Sequence, residues 1–369
     1  VTIRDAELVH VGCDATELAF VTDDSATVGV EVGDRRVEST GAYHVVRIGG
    51  LQPKTVYAVR VEGAEPSDVL PASITTPARP PGGRLATIAV VNDVHFGETV
   101  CGEFGPEHDV QPVFRAEPGD PPYPEVMNAA VVADVLAVEP DVVIANGDLT
   151  DHGSVDDYRR FLEVYGSAFG ERLHHVRGNH DAMEDDALAT NDAPFTVTLG
   201  GVTLAVVDTV IPREAGGRVT DTTFEFLREL GTASSQPVIV FGHHPTYDPG
   251  WDEGRERPFN LGLDDTQRLA RVLDDAPAFA GYYSGHTHRN LVRRSPQRNV
   301  PLVEVGAVKE YPGAWAELTI YDGGYTYVVH RVGEHRAMAW AEKTSHMVFG
   351  LHRAYARGSL ADRGFVLTW

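Results

Sequence analysis

The ten residues Val142-Val143-Ile144-Ala145-Asn146-Gly147-Asp148-Leu149-Thr150-Asp151 carry the reading of the fold. Four apolar residues in a row, mostly β-branched, suit a short strand buried on both faces. The run stops at Asn146 and Gly147, and two aspartates follow at a spacing of three. A buried strand that ends in a tight turn and then a carboxylate is how an α/β scaffold presents chemistry at its strand ends.

The pattern recurs on both sides. Apolar runs at 85–91, 173–176, 202–207, 238–241, 279–283 and 302–305 alternate with segments that predict helices. Residues 124–138 read as a helix with proline in the first turn, and 154–169 place Val155, Tyr158, Phe161, Leu162, Tyr165 and Phe169 on one face. Further helices are expected over 222–230, stopped by Gly231, and over 263–273. Beyond them, 315–321 and 325–331 alternate as paired strands around Asp322-Gly323-Gly324, expected to close the edge of the second sheet. The aromatic-rich stretch 340–369 suits covering a sheet edge, packing on the first domain or an oligomer contact.

Before residue 77 the pattern is different: 17–22, 27–32, 43–48 and 56–61 read as short strands with no helical stripe between them. Leu51-Gln52-Pro53-Lys54-Thr55-Val56-Tyr57 resembles the tyrosine-corner stretch of fibronectin type III modules. Pro77-Ala78-Arg79-Pro80-Pro81-Gly82-Gly83 has linker punctuation. The expected organisation is a small all-β sandwich over 1–80, an α/β domain over 84–335 and a C-terminal extension over 336–369.

Five motifs fall in order after the predicted strands: Asp93-Val94-His95, Gly147-Asp148-Leu149-Thr150-Asp151, Gly178-Asn179-His180-Asp181, Gly242-His243-His244-Pro245 and Gly285-His286-Thr287-His288. Taken singly, each has a structural reading as a turn, a helix cap or a satisfied core histidine. Together they bring carboxylates, imidazoles and one amide to successive strand ends, most beside a glycine that lets the backbone turn tightly. Seven candidate donors exceed the four protein ligands of an ordinary zinc site, which argues for two metal ions sharing a carboxylate. Nitrogen and oxygen donors without thiolate suit manganese, iron or zinc and do not choose among them.

On these motifs the chain resembles the calcineurin-like metallophosphoesterase family over residues 85–307. The resemblance implies an αββα sandwich with a dimetal site at one end. It also implies one ion held by Asp93, His95, Asp148 and His288, and a second held by Asp148, Asn179, His243 and His286, with Asp148 bridging. His244 is then structural. The same resemblance gives His180 the catalytic role of stabilising the transition state or protonating the leaving oxygen, and gives Asp151 the task of orienting His180 and favouring its charged form. Asp151 also has a reading as a helix cap before Ser154. The implied reaction is in-line attack on phosphorus by a metal-bridging hydroxide, with no nucleotide cofactor.

Asp151 stands where purple acid phosphatases carry a metal-binding tyrosine, and His152 where protein serine/threonine phosphatases carry arginine. The Gly-Asp-Leu-Thr-Asp-X-Gly form and the His-His-Pro segment are most similar to bacterial class III cyclic nucleotide phosphodiesterases. A small phosphodiester is therefore the expected substrate. Phosphomonoesterase, DNA nuclease and non-catalytic scaffold are the alternatives. The long insertion 96–123 reads as a lid or binding loop, with Phe104, His108, Phe114 and Arg115 as candidates, or as a bland surface loop.

Composition narrows the partners. Hydrophobic residues at 42% and charged residues at 23% describe an ordinary globular chain. The net charge of -23 repels polyanions and counts against a nucleic-acid footprint, while two bound dications keep a small anionic substrate compatible with an acidic protein. Cys13 and Cys101 signal neither a disulfide framework nor a thiolate site. No apolar run reaches the length of a membrane span and no basic-then-apolar leader opens the 369 residues, so the expected location is the cytoplasm. His174 and His175 are expected on a sheet face, and His330, His335 and His346 lie outside every motif.

Overall fold

The structure, a computed structural model, describes residues 1–65, 69–103, 112–184, 188, 193–255 and 258–369. Its strands, in chain order, are β1 (Ile3–Val11), β2 (Ala15–Val32), β3 (Arg35–Gly49), β4 (Val56–Glu62), β5 (Ser73–Thr75), β6 (Arg84–Val91), β7 (Val142–Asn146), β8 (Leu173–Val176), β9 (Phe195–Leu199), β10 (Val202–Val206), β11 (Val238–Phe241), β12 (Phe279–Ser284), β13 (Leu291–Arg294), β14 (Pro301–Glu304), β15 (Ala314–Tyr321), β16 (Gly324–Arg331) and β17 (Gly364–Thr368). The helices are α1 (Tyr123–Ala137), α2 (Val155–Phe161), α3 (Ser167–Phe169), α4 (Asp221–Ala233), α5 (Pro249–Asp252), α6 (Leu263–Asp275), α7 (His335–Thr344) and α8 (His352–Arg357).

Two six-stranded sheets, ordered β17-β16-β15-β6-β7-β8 and β13-β14-β12-β11-β10-β9, stack face to face. Alternation along the strands explains the layering, because successive side chains point to opposite faces. Ile88 and Val90 of β6 enter the core between the sheets with Leu204, Ile239, Phe241 and Tyr283. Ala89 and Val91 face outward instead, against Met127 and Val131 of α1, Phe161 of α2 and Trp340 of α7. On the far side Ala205, Val207 and Val240 meet Phe224 and Leu227 of α4 and Leu269 and Leu273 of α6. Helix, sheet, sheet, helix is the αββα order expected.

Each sheet has a parallel part: β6-β7-β8 forms one half of the first, and β10-β11-β12-β14 forms the middle of the other. Their C-terminal ends come to one edge of the molecule, where the five motifs lie.

The N-terminal strands β1 to β5 form a separate antiparallel sheet over Leu18, Phe20, Val28, Val30 and Ile48. Here 17–22 and 27–32 are not two strands but one, β2, whose register against β3 shifts between Val21 and Ala26. The polar triplet Asp23-Asp24-Ser25 is a bulge, not a turn. Tyr57 accepts a hydrogen bond on its hydroxyl from the Gln52 amide, 2.8 Å.

Three other expectations are corrected. The β15-β16 hairpin does not close the edge of the second sheet: β15 pairs with β6 in the interior of the first, and β17 from the C-terminal stretch closes that edge. Helix α4 runs through Gly231 to Ala233. A Cβ on Gly231 would lie 2.6 Å from Phe279 and 2.8 Å from Ala276, so this glycine serves close packing and not helix termination. The segment expected as one helix over 154–169 passes through a π-helical turn at Leu162–Gly166 between α2 and α3.

Candidate metal centre

Asp93 and His95 follow β6, Asp148 follows β7, Asn179 and His180 follow β8, His243 follows β11, and His286 and His288 follow β12. Five of these, Asp93, His95, Asp148, His286 and His288, hold positive φ values between 45° and 70°. Non-glycine residues adopt that conformation where the surroundings impose it, and such residues concentrate at functional sites. Each left-handed turn folds a side chain back over the strand ends.

The motif glycines act partly by leaving space. A Cβ on Gly147 would strike the His243 ring, one on Gly178 would strike the Asp148 carboxylate, and one on Gly285 would lie 2.7 Å from Asp93 Oδ2. Gly147, at φ 97°, also needs its left-handed freedom; Gly178 and Gly285 do not sit at positive φ.

Asp93, His95, Asp148 and His288 offer ligand atoms that all lie within 4.8 Å of one another, as do His243, His244 and His286. Asp148 Oδ2 stands between the groups, 3.4 Å from His95 Nε2 and 3.3 Å from His243 Nε2. Asn179 Oδ1 is 3.2 Å from the same His243 nitrogen, and His288 Nε2 is 3.5 Å from Asp93 Oδ1.

The outward-facing nitrogens decide what the inward ones can be. His243 Nδ1 lies 2.9 Å from the Asn146 carbonyl, His286 Nε2 lies 2.9 Å from the Phe259 carbonyl, and His288 Nδ1 lies 2.9 Å from Glu310 Oε1. Each of those nitrogens must donate, so in the neutral ring each opposite nitrogen turns a lone pair inward, two of them toward carboxylates at short range. His95, fully buried, has no hydrogen-bond partner on either ring nitrogen. Acceptors facing acceptors in a dry pocket require cations between them. Divalent metal ions of the nitrogen- and oxygen-loving kind fit this donor set.

Without metal ions, protons on His243 and His288 would answer the same carboxylates. For His243 the burial that would lower its pKa is outweighed by Asp148 and Asp93, which push it up to about 9. Burial of His288 is likewise outweighed by Glu310 and Asp93, giving about 10. His286, where burial and the neighbouring His243 dominate, falls to about 3.

His244 is close by but committed elsewhere: its ring nitrogens lie 2.8 Å from Thr209 Oγ1 and 3.1 Å from the Ala215 carbonyl. His180 reaches the rim, its side chain about one third exposed. Its Nδ1 is 2.6 Å from the Asp151 backbone carbonyl and 3.7 Å from Oδ1 of the Asp151 carboxylate. The carbonyl is thus the closer orienting group, and the carboxylate lies nearer His152, at 3.1 Å. Asp151 is not the cap of α2; Ser154 is, accepting from the Asp157 amide.

Three residues outside the motifs belong here. Asn92 donates to Asp93 Oδ2 at 2.8 Å and holds that carboxylate. Glu310, fully buried, grips His288 and also lies 3.3 Å from His352 Nε2 of α8. Lys309 Nζ sits 2.5 Å from Glu98 Oε1 and 3.8 Å from Glu310 Oε2. Lys309 and Glu310 follow β14, the next parallel strand, so the strand-end rule that found the motifs would also have reached them.

A cavity of about 520 Å3 opens over the cluster, touching Asp148, Asn179, His180, His286 and His288 on its floor. From the insertion after His95, Glu98, Gly102 and Glu103 line it. Phe114 pairs with Cys101 and packs on the outer core, and Arg115 lines a shallow hollow beside Trp340. Phe104 and His108 lie outside the described residues. Cys13 and Cys101 are both free and buried. No described helix is long and apolar enough to cross a membrane.

A sequence model described as calcineurin-like phosphoesterase matches residues 86–290, more than half of the chain. The chain is 29% identical over 176 residues to a 3',5'-cyclic adenosine monophosphate phosphodiesterase of Pseudomonas aeruginosa, covering 46% of this chain and 62% of that one. It is 27% identical over 189 residues to a glycerophosphodiester phosphodiesterase of Enterobacter lignolyticus, covering 47% and 66% respectively. The chain therefore spans less than two thirds of the length of either relative. Among solved structures, a dimetal phosphatase of Danio rerio superposes with a TM-score of 0.52 at 13% identity, over 68% of this chain and 98% of that one, a likeness of fold.

Proposed function

We propose, from the premise that this chain belongs to the calcineurin-like phosphoesterase family, that it hydrolyses a small phosphodiester at the cluster around Asp148. The observation that carries the reading is the pair of donor groups joined by one carboxylate, with His180 on the rim of the same cavity. Asp93, His95, Asp148 and His288 would hold one divalent ion, and Asp148, Asn179, His243 and His286 the other. Ions held there would supply Lewis acidity toward the phosphoryl oxygens and would lower the pKa of a water toward neutral.

The chain's own residues do the rest. With its Nδ1 proton directed at the Asp151 carbonyl, His180 turns Nε2 toward the cavity, where it can donate to the oxygen of the departing alcohol. The Asp151 carboxylate, held ionised because His180 and His95 outweigh its burial, stands 3.7 Å from the same Nδ1 and helps to fix the ring. Asn92 and Glu310 hold Asp93 and His288 in register.

A diester is favoured over a monoester by the charges on the walls. Lys309 is the only lysine or arginine among the described residues lining the cavity, and Glu98 and Glu310 already engage it. Among the described residues, then, no free lysine or arginine on the walls adds to the two metal ions to meet the second charge of a monoester. Both relatives are named as phosphodiesterases, in keeping with this reading. The manganese-reconstituted chain is expected to cleave bis(4-nitrophenyl) phosphate at least tenfold better, in kcat/KM, than 4-nitrophenyl phosphate; the reverse order would reject the diester reading.

A further inference from the structure

The cavity over the metal-ligand cluster has two unlike sides. Its floor is polar, while one wall is built from Trp251, Phe259, Val348, Leu351 and Tyr355. Trp251 stacks on Phe259 with ring centroids 5.2 Å apart, and Tyr355 meets Trp251 edge-on at 5.8 Å. Phe259 in turn lies 4.2 Å from the ring of His286. The aromatic surface therefore begins at a candidate ligand and continues to Leu351, a residue 69% exposed. Leu351 alone would need no explanation, because single exposed apolar residues are common; what marks it is that it continues the Trp251-Phe259-Tyr355 surface of the same cavity.

Three of these five wall residues come from the turn and helix over residues 347–357, and this segment is anchored to the floor. The Tyr355 hydroxyl donates to the Thr287 carbonyl, 2.9 Å, between His286 and His288. The Asn290 amide donates to the Ala356 carbonyl, 3.0 Å. His352 reaches both the Tyr311 carbonyl at 3.2 Å and Glu310, the partner of His288. Val348 and Phe349 sit consecutively at φ 50° and 55°, a conformation that a β-branched residue adopts only when its surroundings hold it. The wall is a fixed part of the site.

We propose that this C-terminal segment, together with Trp251 and Phe259, is the specificity surface of the site, and that the phosphoester it selects carries a flat apolar substituent. The proposal rests on the reading of the cluster as a phosphodiester site and adds to it the chemical class of the ester group. A short polyol ester would leave the Trp251-Phe259-Tyr355 surface wet; a ring or other flat apolar group would cover it, with stacking added to burial.

Two non-hydrolysable monoanions separate this effect from reactivity: dimethylphosphinate and benzyl(methyl)phosphinate, titrated calorimetrically into the manganese-loaded full chain. The benzyl compound is expected to bind at least tenfold more tightly. Leu351→Ser, at an exposed position that cannot unfold the chain, and Trp251→Ala, checked for retained metal, are each expected to reduce that ratio below threefold. Equal affinities in the wild type, or a ratio that survives both substitutions, would overturn the proposal. Should the loaded chain cleave no phosphoester and yet keep the tenfold preference, the catalytic reading falls and the specificity surface stands. Cleavage of diesters without any preference would overturn the specificity surface and leave the catalytic reading intact.

Discussion

The outward hydrogen bonds of His243, His286 and His288 matter more to this site than the identity of its residues alone, because they set which nitrogen faces inward. Glu310→Gln keeps the shape of the side chain but weakens its hold on His288, and is expected to lower metal affinity about 10-fold to 100-fold; a competition titration against a chelator measures it. Gly178→Ala, which would drive a methyl group into Asp148, is expected to leave a folded chain with less than half the wild-type metal content. His180→Ala, in contrast, is expected to lower kcat by about 10²-fold to 10⁴-fold with the metal content unchanged. All seven candidate ligands were legible from the motifs, because strand-end position and residue type are local properties. The closer orienting contact to His180 was not: it comes from a backbone carbonyl of Asp151, and no side-chain pattern encodes a carbonyl. Nor was the spatial role of Gly178 and Gly285, whose clashes involve residues 30 and 192 positions away in sequence.

At the scale of elements, the apolar runs located the inner strands of both sheets to within a residue or two, since a strand buried on both faces declares itself by composition. Sheet order was less legible. Nothing in the alternation of 315–321 says that β15 will insert beside β6, and nothing in residues 364–368 says that they will finish that sheet. Both facts depend on tertiary pairing. The bulge of β2 was read as a turn because Asp and Ser favour both. Gly231 offers a test of packing against propensity. Helix propensity alone predicts that Gly231→Ala stabilises α4 by about 1 kcal/mol, whereas the contacts with Phe279 and Ala276 predict a loss of about 1–3 kcal/mol from overpacking. Urea denaturation of the two proteins gives the sign.

Across the whole molecule, the N-terminal sheet is joined to the αββα body by buried charges. Glu17 of β2 lies 2.7 Å from Arg47 Nε and 2.9 Å from His330 Nδ1, and accepts from the Arg331 amide at 2.8 Å. Glu7 of β1 meets Arg331 at 3.2 Å and also pairs with Arg363. His330, outside every sequence motif, is thus part of a structural network. Glu17→Ala, which removes the carboxylate shared by Arg47 and His330 and leaves them only Asp134 and Glu317, is expected to cost up to about 3 kcal/mol of stability.

The pH dependence of stability has a definite sign. Burial and the neighbouring His330 hold His10 down at about 4, below its ordinary 6.5. The folded state keeps His10 neutral where the unfolded chain would protonate it, so this stabilisation is present above pH 6.5 and is lost as pH falls toward 4. Glu17 and Glu317 are held below their ordinary values, Glu317 at about 2, since burial is outweighed by Arg47 and His330 for the first and by His330 for the second. Their contribution disappears only below about pH 4.5. His330, raised by Glu17 and Glu317 against its burial, works the other way, losing its contribution as pH rises. His10→Asn is therefore expected to flatten the decline between pH 6.5 and 4 by up to about 3 kcal/mol and to leave the decline below 4.5 in place. An unchanged profile in urea melts at these pH values would contradict the assignment.

The most direct test of the dimetal phosphodiesterase account is one preparation measured twice: metal content by mass spectrometry and hydrolysis of bis(4-nitrophenyl) phosphate, for wild type and Asp148→Ala after reconstitution with manganese. The account predicts two ions per chain and turnover in the wild type, with both lost together in the variant. Fewer than one bound ion with no hydrolysis in the wild type, or undiminished turnover without Asp148, would contradict it.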